Sequence, residues 1–318
     1  MSRDAVPALT LDAAQLRALH AVQLRMLLDF DRVCSTLGLR YQLAAGTLLG
    51  AVRHGGFIPW DDDVDVAMPR ADYRRLLAEA PALLGPDCFL QHWRSDPAFR
   101  RAYAKLRRNG SAFREAACAD HPSHQGIFID IFPFDTVAPG RWWGRVHLGA
   151  ARLATMAGAL FNHPGRGRLA PDRPLWQRLA ARPARLVGVL LPFRWRARLY
   201  EAWVGLLDGT DARHVACLVA MPHDRERVRR LIRPAAEFLE TVSMPFEGHL
   251  FPVPAAHDAT LSRLYGDYRR LPPRDRQAPS HRIVAFTLPD GEGSADEAGI
   301  TVGRRGAGRR GRSRRRAR

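Results

Sequence analysis

The stretch "GTLLGAVRHGGFIPWDDDVDVAM", residues 46–68, decides how the rest of the chain is read. Four aspartates, Asp61, Asp62, Asp63 and Asp65, fall within five positions, and the core-type residues Val66, Ala67 and Met68 follow at once. Side chains alternate between faces along a strand. If residues 61–66 are extended, Asp61, Asp63 and Asp65 share one face, while Asp62, Val64 and Val66 take the other. Three carboxylates stacked on one face repel each other unless a cation neutralises them. Hard divalent ions such as Mg²⁺ or Mn²⁺ prefer oxygen ligands of this kind. The usual fate of a charge run is a solvated turn, but this run lies between "FIPW" and "VAM", both of which call for burial. An EF-hand calcium loop is a second alternative. It fails at Val66, where the loop needs glycine, and at Asp72, where it needs glutamate.

Another carboxylate lies far along the chain. Asp130 stands in "IFIDIF" between Ile129 and Ile131. Buried acids are rare unless paired, hydrogen-bonded or metal-bound. The residue fits if its strand lies beside the Asp63/Asp65 strand. Upstream, Gly46 and Thr47 sit where a short strand turns into a helix. A glycine there lets backbone N–H groups approach phosphate, and a helix N-terminus favours an anion.

The flanking pattern supports an α+β arrangement. Leu16, Leu19, Leu24, Leu27, Leu28, Val33 and Leu37 recur at helical spacing over 11–37, with Thr10 or Asp12 as cap and Gly38 as stop. "LRYQLAAG" (39–46) reads as a strand ending at Gly46, "TLLGAVRHG" as a short helix, "VDVAMP" as a strand and "ADYRRLLAEAPALL" as a helix. "CFLQHW", "AYAKLRR" and "GIFIDIFPFD" (126–135) read as further strands. Residues 141–240, rich in Leu, Ala, Arg and Trp, read as a helical subdomain. The expected layout is a mixed-sheet catalytic core with its N-terminal helix over 1–140, the helical subdomain over 141–240, a return to the catalytic domain over 241–285, and a disordered basic tail over 286–318.

An Asp-x-Asp pair, a third aspartate on a neighbouring strand and an upstream Gly-Thr turn match the active-site layout of the nucleotidyltransferase superfamily. More specifically, "GTLLGAVRHGGFIPWDDDVDVAM" resembles the signature of the LicD family, to which the fukutin-related proteins are similar. "AKLR" (104–107), "GIFIDIFPFD" and "FPVPAAHDATLSRLYGDYRRLPP" (251–273) extend the likeness over about residues 20–282. The resemblance implies a nucleotidyltransferase-like fold. It also implies transfer of a phosphoalcohol, such as phosphocholine or ribitol phosphate, from a CDP-activated donor to a glycan or lipid-linked glycan. Carried over by position, Asp63 and Asp65 are metal ligands with Asp61 in support. Asp130 is the third ligand or the base that takes the acceptor proton. Gly46 and Thr47 line the donor phosphates. A nucleotidyltransferase that uses an NTP and releases pyrophosphate would present the same metal site. An Asp-x-Asp glycosyltransferase fits less well, because the motif follows "GTLLG" so closely.

A diphosphate donor also needs cations. Arg53 and His54 lie between the glycine turn and the aspartates. Lys105 is the single lysine in a chain whose Lys+Arg total is 49. Lysine and arginine are not interchangeable where a compact ammonium is needed, so Lys105 is a candidate for phosphate contact. Cys118, His121 and His124 lack the second ligand pair of a zinc site and read as a polar loop. Tyr265, Asp267 and Tyr268 either frame a substrate cleft or pack as aromatics.

The net charge of +17 is concentrated at the C-terminus. "GRRGAGRRGRSRRRAR" (303–318) contributes nine arginines and no acid, which leaves +8 on the rest. Nucleic-acid binding is therefore expected only through the tail, by counterion release. Four scattered cysteines suit a reducing compartment. The first residues show no signal-peptide pattern, and "LATMAGALFNHPG" is short of the roughly 20 apolar residues a spanning helix needs. The expectation is a cytoplasmic protein. The mixture of Trp142, Trp143, Trp176, Trp195 and Trp203 with arginines suits either a core or peripheral contact with an anionic membrane.

Overall fold

The computed structural model describes residues 9–161, 192–220 and 225–289. The arginine-rich tail and Trp176 lie outside the described residues. Helix α1 spans Ala13–Leu37. Asp12 caps it through a reciprocal pair of bonds with Gln15, and Gly38, at φ +62°, ends it in the left-handed backbone that glycine adopts without cost. Its apolar stripe, including Leu19, Val22, Met26, Leu27 and Phe30, is buried in the main core.

The chain continues through β1 (Gln42–Leu43), α2 (Ala45–His54), β2 (Asp65–Pro69), α3 (Arg70–Glu79), β3 (Cys88–Gln91), β4 (Ala104–Arg108), β5 (Ala112–Glu115) and β6 (Phe128–Val137). After these come α4 (Trp142–Phe161), α5 (Phe193–Val204), β7 (His214–Ala216), α6 (Arg225–Leu231), β8 (Arg233–Pro234) and α7 (Ala235–Leu239). The last elements are β9 (Thr241–Phe246), β10 (His249–Pro254), α8 (His257–Tyr265) and β11 (Ile283–Thr287). The protein is α+β, as expected.

The main sheet runs β1-β2-β6-β4-β3, with β7 and β8 attached beyond the far half of β6. Within it β2 and β6 are parallel, and the other pairs are antiparallel. It is therefore a mixed sheet with the ten-residue β6 at its centre. Val64, Val66, Met68, Leu106, Ile129 and Ile131 fill the core beneath it.

Several elements differ from the sequence reading. The strand read over 39–46 is only two residues long, and the helix starts at Ala45, so Gly46 and Thr47 lie inside the first turn of α2. The β9–β10 hairpin and the β5–β11 pair were not read. Two short strands, β7 and β8, run within the stretch read as helical and join the main sheet. At the far end of β6, Asp135 forms a buried two-point ion pair with Arg70, at 2.6 and 2.9 Å. Among the described residues no helix is long and apolar enough to cross a membrane.

Candidate active site

The parallel pairing of β2 and β6 puts Asp65 in register with Asp130, two segments of chain far apart in sequence. The backbone N–H of Asp130 donates to Val64 O at 2.8 Å. Asp63 sits just before β2, and ligand oxygens of Asp63, Asp65 and Asp130 lie within 4.8 Å of one another. The cluster faces away from Val64 and Val66, which are fully buried on the other side. Asp61, Asp63, Asp65 and Asp130 are thus gathered by one alternation and one strand pairing.

Helix α2 meets this cluster at its N-terminus. Asp65 N–H donates to Thr47 Oγ1 at 2.8 Å, and Ala44 N–H donates to Asp65 O at 2.9 Å. A Cβ at Gly46 would stand 2.5 Å from Asp61 Oδ2, so the glycine is what lets the carboxylate approach the helix. Ala45 holds φ +44°, a left-handed backbone uncommon for alanine. No side chain caps this helix, so its first-turn N–H groups are open to an external acceptor.

Crowding shifts the acids. Burial, then the charges of Asp61 and Asp130, push the Asp63 carboxyl up to about 8. Asp65 is pushed well up by burial and by Asp63 and Asp130, and Asp61 is raised by burial. Such a cluster accepts a cation readily, because the ion removes the repulsion that otherwise forces protons onto it. The donor chemistry, three carboxylates whose oxygens converge, fits a hard divalent ion.

Asp62 behaves differently from its neighbours. It is buried, and its carboxylate accepts from Ser280 N (3.2 Å), Ser280 Oγ (2.9 Å) and His281 N (3.1 Å), with His281 Nδ1 at 2.9 Å. Burial raises its pKa, but the bonds from His281 and Ser280 outweigh that and hold it below the ordinary value. In return His281 is raised to about 9: burial opposes the charge, and Asp62 and Asp63 outweigh it. From the other side α1 grips the same loop, with His20 Nε2 on Asp61 O at 2.8 Å and Gln23 Nε2 on Asp62 O at 3.1 Å. Asp62, His281, Ser280, His20 and Gln23 were not singled out from sequence. Four of them lie far from the aspartate run in the chain, and only folding shows that Asp62 is the anchor.

The cations divide. Lys105 on β4 is in register with Asp130, its ammonium 3.0 Å from Oδ1 and 3.6 Å from Glu115 Oε1. The ammonium also lies 3.2 Å from the centre of the Phe128 ring. The side chain is buried, and burial lowers its pKa despite Asp130. Arg53 and His54 lie in the last turn of α2, about 10 Å along the axis from Gly46 and Thr47 at 1.5 Å per residue. Arg53 Nε donates to His54 Nε2 at 2.9 Å, and its Nη1 donates to Tyr268 O at 2.9 Å. Burial and the charges of Asp65, Asp61 and Asp63 push the Tyr265 phenol up, and α8 packs against α2. Among the described residues Asp267 makes no hydrogen bond or ion pair with the cluster, and Tyr268 is tied to Asp258 and Arg53.

Residues 38–153 match the family model described as "LicD/FKTN/FKRP, nucleotidyltransferase domain". The chain is 25% identical over 287 residues to the lipopolysaccharide cholinephosphotransferase LicD of Haemophilus influenzae, covering 86% of this chain and 98% of that protein. A 36-residue stretch is 56% identical to the ribitol 5-phosphate transferase FKRP of human and mouse, covering 11% of this chain and 7% of those proteins. By homology the chain is an enzyme of the phosphotransferase class. Within that class it is similar to the LicD family, whose domain covers the segment that carries Asp63, Asp65, Lys105 and Asp130.

Proposed function

We propose that this protein transfers a phosphoalcohol (phosphocholine-, ribitol phosphate- or glycerol phosphate-like) from a CDP-activated donor to a hydroxyl of a cell-surface glycan, with release of CMP. The observation that carries the reading is the convergence of Asp63, Asp65 and Asp130 beside the open N-terminus of α2. Asp63, Asp65 and Asp130 would hold Mg²⁺ or Mn²⁺, which would supply positive charge to the donor diphosphate.

The chain's own groups do the rest. Lys105 holds Asp130 in place, so its effect on the donor passes through that carboxylate. Gly46 and the first turn of α2 receive a donor phosphate on backbone N–H groups, and Thr47 ties that turn to Asp65. Arg53 serves the outer part of the donor next to Tyr265, oriented by His54. Asp61 supports Asp63 against the first turn of α2, and Asp130 is the third ligand or the base that takes the acceptor's proton. The acceptor oxygen bonds to the phosphorus distal to cytidine, and the bond from that phosphorus to the bridging oxygen breaks. CMP leaves with the bridging oxygen.

The test is a thermal-shift screen of CDP-choline, CDP-ribitol, CDP-glycerol, CDP-ethanolamine, CTP and UDP-sugars, each with and without Mn²⁺. Metal-dependent stabilisation by one CDP-alcohol, followed by CMP release in the presence of a glycan acceptor, is the expected result. Stabilisation by CTP alone, with pyrophosphate as product, would replace this reading with nucleotidyl transfer.

A further inference from the structure

Helices α4 and α5 carry the same exposed pattern. In α4 the outward residues are Trp142, Val146 and Leu153, at 77%, 56% and 67% exposure. In α5 and the turn after it they are Trp195, Leu199 and Leu206, at 49%, 60% and 59%. Steps of four and seven residues put Trp142, Val146 and Leu153 on one face of α4, and a step of four puts Trp195 and Leu199 on one face of α5, with Leu206 exposed in the turn that follows. The two sets correspond at one constant offset: Arg141 and Trp142 with Arg194 and Trp195, Arg145 and Val146 with Arg198 and Leu199, and the small Gly149 with Ala202.

The opposite faces of the two helices are spent on a shared core. Ala151 and Val204 meet Val137, Ala216 and Leu218, and His147 stacks on Trp203 while its Nε2 meets Trp203 O at 2.8 Å. Both apolar stripes therefore turn outward from one cluster. Charge adds a direction to the argument. Residues 142–161 contain no acid, and the acid in α5, Glu201, is bound to Trp93 Nε1 and Arg94. Arg145, Arg194 and Arg198 are exposed beside the stripes, with Arg198 over the Trp195 ring at 5.4 Å.

We propose that the two stripes form one docking face for an anionic lipid bilayer. Tryptophan and leucine side chains enter the boundary between headgroups and acyl chains, and the arginines meet the lipid phosphates. The inference rests on these helices alone and stands whether or not the carboxylate site works as proposed.

Flotation of the full chain with phosphatidylcholine vesicles, with and without about one-third phosphatidylglycerol, tests it. The wild-type protein is expected to float with the anionic vesicles only. The quadruple variant Trp142→Glu, Leu153→Glu, Trp195→Glu, Leu199→Glu should partition at least about tenfold less, because apolar burial is lost and acid faces acid. That variant keeps residues 303–318, so undiminished binding would assign the contact to the arginine tail and overturn the proposal. Light scattering supplies a second arm: a wild-type dimer that the variant converts to monomer would assign the face to a second copy of this chain. Tryptophan quenching of the wild-type protein by brominated lipid needs no variant. Unquenched fluorescence in vesicle-bound protein would equally overturn the proposal.

Discussion

Asp65 and Asp130 are register partners on adjacent parallel strands, and Lys105 pairs with Asp130 from the strand on the other side. Three strands thus fix a carboxylate, a second carboxylate and an ammonium in one row. The row is rigid, because its members sit on paired backbone rather than on loops.

Replacing Asp63 and Asp65 together by asparagine removes two of three proposed ligands. Turnover is expected to fall at least about a thousandfold, the several kcal/mol that a bound cation contributes. The same variant should lose the metal-dependent thermal shift. A variant that keeps that shift would move the metal elsewhere.

The metal-free protein should lose stability as pH rises from about 4 towards 8. The Asp63 carboxyl has an ordinary value of 3.8 in the unfolded chain and about 8 in the folded one. The folded state therefore holds more protons in that window, and the slope of unfolding free energy with pH is negative. Thermal melts across the window check this, and saturating Mn²⁺ should flatten the curve. In the absence of metal, Asp63→Asn should raise the Tm by roughly 1.5–3 °C at pH 8, about 1–2 kcal/mol for a protein of this size.

Gly46→Ala separates activity from stability. Alanine favours the helix by about 1 kcal/mol over glycine, yet its Cβ would meet Asp61 Oδ2 at 2.5 Å. The expected outcome is a large drop in turnover with an unchanged Tm. Equal activity would mean that Asp61 can move without consequence.

Lys105→Arg should lower both turnover and Tm. The ammonium occupies a closed site between Asp130, Glu115 and the Phe128 ring, and a bulkier guanidinium overpacks it by about 1–3 kcal/mol. Lys105→Met is expected to be worse for stability, about 3–5 kcal/mol, because it leaves buried Asp130 without its counter-ion. Chemical denaturation of both variants, with and without Mn²⁺, gives the comparison. Recovery of Lys105→Met by Mn²⁺ is expected, since the ion takes over the neutralisation.

The Asp62–His281 pair should stabilise the fold in a defined pH range. His281 is raised from 6.5 to about 9, so its contribution is complete below 6.5 and is lost as pH climbs through about 9. Asp62 is depressed, so its share is present above 3.8 and lost as pH falls through its lowered value. His281→Ala should lower stability by about 1–3 kcal/mol at pH 6 and by much less at pH 10, measured by urea unfolding.

Local pattern was enough for α1, because an apolar stripe, the Asp12–Gln15 box and Gly38 act within a few residues of one another. It was also enough to group Asp61, Asp63 and Asp65, since alternation along extended chain is a property of the backbone. The meeting of Asp65 with Asp130 was an expectation that the β2–β6 register made definite. The division among charged groups was not readable at all. Asp62 carries the same side chain as Asp61 and Asp63, yet Ser280 and His281 make it an anchor. Lys105 was a candidate for phosphate contact by residue type alone, and the pairing of β4 with β6 sets its ammonium against Asp130. The outward stripes of α4 and α5 could be told from core only when their opposite faces closed on Val137 and Ala216. Backbone conformation is set by neighbours in sequence, whereas the field around a charge is set by whatever the fold brings within a few ångströms of it.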